Sequence, residues 1–232
     1  MKLARLRWRL LMDIIRNQEI MKDIAIFGAG GFGREVACLI HKVNKEKPTW
    51  NLIGFFDDNP ELKGKHNEYG EILGGVDVLN KWNKPLSLLI AIGSGTTVKK
   101  VVEKITNDDI EFPNFFYKPS LSDENNIKLG RGNIMIDSHL SCAVKIGDFN
   151  MMNGDVVFGH DAQIGNYNSF MPGTRISGEV VVGDECFFGV NSVVLQQIKI
   201  GDRVRLGAGS VMMTKPKSDN LYIGVPAKIF KY

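Results

Sequence analysis

Residues 144–165 read VKIGDFNMMNGDVVFGHDAQIG. Stepping by six from Ile146 gives Met152, Phe158, Ile164, Phe170, Ile176, Val182, Phe188, Val194, Ile200, Leu206 and Met212. All twelve are apolar in a chain that is 44% hydrophobic, and with six frames to choose from, chance gives this on the order of 10⁻⁴. The next residue is glycine in seven of the twelve cases, at Gly147, Gly159, Gly165, Gly183, Gly189, Gly201 and Gly207. Two residues before each rung the chain favours small or β-branched residues, as at Val144, Val156, Ala162, Thr174, Val180, Ser192, Val204 and Ser210.

A longer period lies above the hexad. Ile146-Gly147-Asp148, Ile164-Gly165-Asn166, Val182-Gly183-Asp184 and Ile200-Gly201-Asp202 recur every 18 residues, so three hexads make one coil. Each hexad reads as a short strand plus a corner, with the rung inside and glycine or Asx easing the turn. Stacked coils pair their backbones as parallel sheets and bury a continuous apolar column. Leu129-Gly130 predicts an irregular first coil from about residue 120, and the repeat fades after Met213.

The first half reads differently. Ile24–Phe27 is a short apolar run followed by GAGGFG, which sets Gly28, Gly30 and Gly33 in the G-x-G-x-x-G order. Arg34–Val43 carries Val36, Leu39, Ile40 and Val43 at helical spacing. NLIGFFDDNP is a second strand closing on Asp57 and Asp58. LSLLIAIGSGTT is a third, ending in a turn at Gly93 and Gly95 before a helical Val98–Ile105. These elements predict a small doubly wound parallel sheet with ligands at the carboxyl ends of its strands. Glycines and a helix N-terminus suit a phosphate, and an acid closing the second strand suits a ribose or base. NAD(P) and a nucleotide attached to a sugar both fit, as does a purely structural strand–helix turn. At about 95 residues only one mononucleotide-sized half is present, which disfavours a dehydrogenase.

The predicted organisation is a 1–20 extension, an α/β Rossmann-like domain over 21–115, and a parallel β-helix with a C-terminal extension over 116–232. The extension, MKLARLRWRLLMDIIRNQEI, is too short and charged to span a bilayer, and Asp13 breaks its apolar run, against a signal peptide. It reads as a dispensable leader or a basic amphipathic helix touching a membrane surface. A net charge of +3 gives no case for nucleic acid, and Cys38, Cys142 and Cys186 form no C-x-x-C pair, which fits a reducing cytoplasm.

The hexad ladder resembles the hexapeptide-repeat acyltransferases. The order IFGAGGFGREVA, GFFDDNP, LIAIGSG, GHDAQIG and GVPAK is similar to the sialic acid O-acetyltransferase and bacillosamine-pathway N-acetyltransferase group. The resemblance, covering about residues 21 to 231, implies a left-handed coil and a homotrimer. It also implies acetyl-CoA as co-substrate and transfer to an amino or hydroxyl group of a sugar, with an amino sugar, nucleotide-linked or free, as acceptor, in surface glycan synthesis. By it, His160 is the general base and Asp161 the acid raising its basicity. An imidazole can take a proton from an amine or hydroxyl at cellular pH. Neighbours on a strand point oppositely, so their contact requires the turn, or a different acidic partner. The acetyl-CoA groove maps onto Ser169, Gly189, Val190, Gly207 and Ala208, with Ser169 where many relatives carry a second histidine. The acceptor maps onto Gly30, Gly31, Phe32, Asp57, Asp58, Gly93 and Thr96, with Phe32 where some relatives carry a histidine.

Two other readings stay open. A zinc carbonic anhydrase needs three histidine ligands, but only His139 and His160 of the four histidines lie in the ladder, so no metal is expected. A non-catalytic sugar-nucleotide-binding scaffold predicts that His160→Ala leaves ligand binding intact.

Overall fold

The computed structural model describes residues 21–231; the extension 1–20 and its expected leader or membrane helix lie outside the described residues. The first unit is a six-stranded sheet in the order β3-β4-β2-β1-β5-β6. Its strands are β1 Lys22–Phe27, β2 Trp50–Phe56, β3 His66–Asn67, β4 Gly70–Gly74, β5 Leu86–Ile90 and β6 Ile110–Glu111. All pairs are parallel except the short β3–β4 hairpin, an edge that the periodicity of the sequence does not announce.

Alternation along β1 sorts the residues to two faces. Ile24 and Ile26 pack under helix α1 (Gly31–Glu46) with Val36, Ala37 and Ile40. Ala25 and Phe27 face α2 (Val76–Leu79) and α3 (Gly95–Lys104) with Leu79, Val98 and Val101. Both long helices begin earlier than their apolar spacing predicts, inside the glycine turns. Gly33 is fixed by packing: a Cβ there would lie 1.8 Å from the carbonyl oxygen of Gly28.

The second unit is a triangular coil, wound as a left-handed parallel β-helix. Its three faces are sheets of eight, six and five strands, in register every 18 residues over the regular coils. The first coil opens at Phe115, upstream of the residue-120 start expected from Leu129-Gly130. All twelve rungs are at most 5% exposed, and the stacked rings of Phe170 and Phe188 lie 4.8 Å apart in the column. Past Met212, Leu221–Ile223 extends the eight-stranded face and Lys228–Ile229 folds back antiparallel on it.

The glycines after the rungs do a different job from the one predicted. Left-handed φ falls instead at every sixth residue from Asp137 to Gly209, among them Ala143, Asp155, Asp161, Glu179, Asn191 and Arg203. The rung glycines clear space for the neighbouring coil. A Cβ on Gly147, Gly165 or Gly183 would sit 2.3–2.4 Å from Oδ1 of Asn166, Asp184 or Asp202. Those same oxygens accept the backbone N–H of Asp148, Asn166 and Asp184, which accounts for the 18-residue Gly-Asx motif.

A second ladder lies inside. At Asn150, Asn168 and Cys186 the column of small residues is interrupted every 18 positions. Asn133, Asn150 and Asn168 each accept from the next coil's backbone N–H and donate to a glycine carbonyl. Burial of these amides is tolerated because their donors and acceptors are satisfied. Cys186 ends the ladder with Sγ 3.1 Å from the Gly201 carbonyl, and burial pushes its thiol pKa up to about 12.

Candidate active site

His160 and Asp161 follow the strand Val157–Phe158 at the corner between the six- and five-stranded faces. Asp161 is one of the left-handed corner residues, with φ 59°. That turn removes the strand alternation and brings its Oδ2 2.9 Å from Nδ1 of His160. Both side chains are more than half exposed, at 55% and 58%. An ionised carboxylate only accepts, so Nδ1 donates to it and the lone pair of Nε2 is left free to take a proton.

The positions assigned to the acceptor converge. Register places Phe27 beside Phe56 and Ile90, so the carboxyl ends of β1, β2 and β5 are level. Gly30, Gly31 and Phe32, then Asp57 and Asp58, then Gly93 and Thr96 therefore share one rim of the sheet. Gly30, Gly31 and Gly93 have open space where a side chain would stand. Asp57 also holds the backbone in place. Its Oδ2 accepts the N–H of Ala29 and its Oδ1 that of Asn59, clamping the glycine turn to β2. Asp58 accepts the N–H of Val76 at the start of α2.

The coil meets this rim along a corner that the motifs do not mark. Gly95 is so close to Tyr167 that a Cβ would lie 1.7 Å from its carbonyl oxygen. Glu185, one coil on, is 7% exposed and receives a 2.8 Å bond from Lys99 of α3. That ammonium, joined by the Thr96 hydroxyl, holds the Glu185 carboxyl below the usual glutamate range against the opposing effect of burial. A small recess runs from Gly93 and Thr96 to Phe187 and Arg205, whose guanidinium lies 5.0 Å above the Phe187 ring. The 18-residue spacing of Phe187 and Arg205 was the available signal for this pair.

The positions assigned to acetyl-CoA divide. Val190 and Ala208 are exposed at the corner between the eight- and six-stranded faces, with Gly189 and Gly207 beneath them. Ser169, on the eight-stranded face, is only 1% exposed, so its hydroxyl offers no open contact within the single chain. The His160 corner, the Tyr167–Glu185 corner and the Val190–Ala208 corner are thus three different edges of one prism. Among the described residues no group of three or more His, Cys, Asp or Glu is placed to hold a metal ion.

Comparison with known proteins agrees with this build. Residues 23–105 match the PglD N-terminal domain family, and residues 179–212 match the hexapeptide repeat of succinyl-transferase. The chain is 29% identical over 178 residues to a GDP-perosamine N-acetyltransferase of Escherichia coli O157:H7, spanning 76% of this chain and 79% of that one. The acetyltransferase domain of PglB from Neisseria gonorrhoeae FA1090, solved with acetyl coenzyme A, superposes with a TM-score of 0.80 at 23% identity, covering 90% of this chain and 100% of that one. PerB from Caulobacter crescentus, solved with CoA and GDP-perosamine, gives 0.75 at 25% identity, covering 90% and 97%.

A hexapeptide β-helix behind a PglD-type N-terminal domain defines the class, a two-part hexapeptide-repeat acetyltransferase architecture. The N-terminal domain match and the repeat match together support the PglD/NeuD-like hexapeptide-repeat acetyltransferase group that the order of motifs resembles.

Proposed function

We propose that the protein transfers the acetyl group of acetyl-CoA to a nucleotide-linked amino sugar, with His160 as general base. The observation that carries this is the exposed His160–Asp161 pair, whose geometry leaves Nε2 free to accept a proton. The acceptor amine attacks the thioester carbonyl as its proton passes to Nε2. The tetrahedral intermediate then expels the coenzyme A thiolate, which takes a proton in turn, and the new bond is an amide. General-base assistance of this kind is worth roughly 10²–10⁴-fold. Asp161 holds the ring and stabilises the imidazolium.

Amine acceptors are favoured over hydroxyls because one relative is a GDP-perosamine N-acetyltransferase and PerB is solved with CoA and GDP-perosamine. The open glycines of the N-terminal rim suit a nucleotide diphosphate approaching the backbone. The active assembly is a homotrimer. Within one chain the base, the acceptor rim and the Val190–Ala208 corner occupy separate edges, and threefold packing of prisms places unlike edges against one another.

Thiol release from acetyl-CoA, measured against GDP-, UDP- and CMP-linked amino sugars and free amino sugars, tests the reading. Nucleotide-dependent release that falls at least about 100-fold in His160→Ala is expected. No release with any acceptor, or an equally fast His160→Ala, overturns it.

A further inference from the structure

We infer that Gly178 is a positioning residue that seats the His160 imidazole, an inference that rests on His160 being the base. Gly178 stands one coil beyond His160, and the two corners are pinned together by the Glu179 N–H donating to the His160 carbonyl at 2.8 Å. The histidine side chain lies along the coil axis over this glycine. A Cβ on Gly178 would fall 2.6 Å from Nε2, 2.8 Å from Cε1 and 3.0 Å from Cδ2 of His160. The ring is therefore bounded on two sides, with Nδ1 against Asp161 and its Nε2 edge over the space that a Gly178 side chain would fill.

Neither the backbone nor the fold demands glycine here. Gly178 has no left-handed φ, unlike Gly154, Gly173 and Gly209 on other corners. The equivalent corner positions one coil before His160 and one coil after Gly178 are Cys142 and Gln196, both exposed and both carrying side chains. Their backbones pair along the same column, through Asp161 N–H to the Cys142 carbonyl and Gln197 N–H to the Gly178 carbonyl. What distinguishes position 178 is the imidazole above it. A methyl group there would turn the ring about χ1 or χ2, away from the carboxylate that orients it, and displace the nitrogen that takes the proton. Approach geometry at the reacting centre is where small displacements are felt most.

The test compares Gly178→Ala, His160→Ala and the double variant in full-length protein. Far-UV circular dichroism and melting monitor the fold, thiol release gives kcat and KM, and ¹⁵N resonances report the His160 ring, identified by their loss in His160→Ala. Gly178→Ala is expected to lower kcat by at least about tenfold, part of the general-base contribution. It should shift the His160 ring resonances, with KM for acetyl-CoA held within about twofold, and add nothing in the His160→Ala background. Unchanged kcat and ring resonances overturn the proposal, as does an equal loss in both backgrounds. If Gly178→Ala does not fold, a folded double variant supports the steric seat and an unfolded one overturns it. If His160→Ala keeps the wild-type rate, the base assignment falls, and the ring resonances alone decide whether Gly178 seats the imidazole.

Discussion

Asp161 reaches Nδ1 of its chain neighbour His160 at 2.9 Å because the aspartate takes the left-handed conformation that the coil imposes on every sixth residue. A corner of the fold, repeated for structural reasons around the whole coil, thereby supplies the orientation that the proposed role of Asp161 requires. Asp161→Asn keeps a residue at ease in this conformation and keeps an acceptor oxygen, but removes the charge that stabilises the imidazolium. We expect kcat to fall by about tenfold or more with the melting temperature unchanged within a few degrees, measured by thiol release and calorimetry.

The spacing role of the rung glycines gives a contrast between two corner positions. Gly165→Ala places a methyl 2.3 Å from Oδ1 of Asp184 and 2.6 Å from the Gly183 carbonyl oxygen. It should destabilise by about 2–3 kcal/mol through overpacking. Gln197→Gly, at φ 64°, should stay within about 1 kcal/mol, since relief of left-handed strain offsets the added freedom of the unfolded chain. Denaturant unfolding of the two variants checks the order; equal effects would contradict the assignment.

Asn150 holds the middle of the buried ladder. Its Oδ1 accepts from Asn168, and its Nδ2 donates to Asn133 and to the Gly165 carbonyl. Asn150→Ala strands several buried groups at once and is expected to cost about 3 kcal/mol, read from the same unfolding experiment.

The Lys99–Glu185 bridge joins the two units and carries a pH signature. Glu185 titrates below the ordinary glutamate range, chiefly because of the Lys99 hydrogen bond, so the bridge's contribution is present above that range. It is lost as pH falls through the lowered value of the folded state. Lys99 is raised by the same partner, so at the alkaline end the contribution is lost only as pH rises through that raised value. With Lys99 41% exposed, solvent screening keeps the pair's contribution small. Melting of wild type and Glu185→Gln from about pH 3 to about pH 8 should show a modest gap near neutrality that closes at the acid end.

Thiol chemistry separates the cysteines. Cys186 is 1% exposed with its pKa pushed to about 12, whereas Cys142 is exposed one coil from His160. A thiol reagent near neutral pH should label Cys142 first and Cys186 only after unfolding, with the fast phase absent from Cys142→Ser. Labelling of folded Cys186 would contradict its place in the ladder.

The twelve rungs announce the coil because an apolar column of period six is a one-dimensional pattern that burial writes directly into the sequence. The three strand ends bearing glycine or aspartate are legible for the same kind of reason, since each strand–turn signal is local. His160 stands out by its chemistry alone. The three-dimensional fold decided which residues face it. Contact with Asp161 depends on a left-handed corner, and contact with Gly178 on stacking across 18 residues. The Lys99–Glu185 bridge depends on docking between the two units, which joins residues 86 apart in the chain. Local pattern specifies where strands and corners fall; the distances between coils and domains specify what each corner can touch, and those distances exist only once the chain has folded.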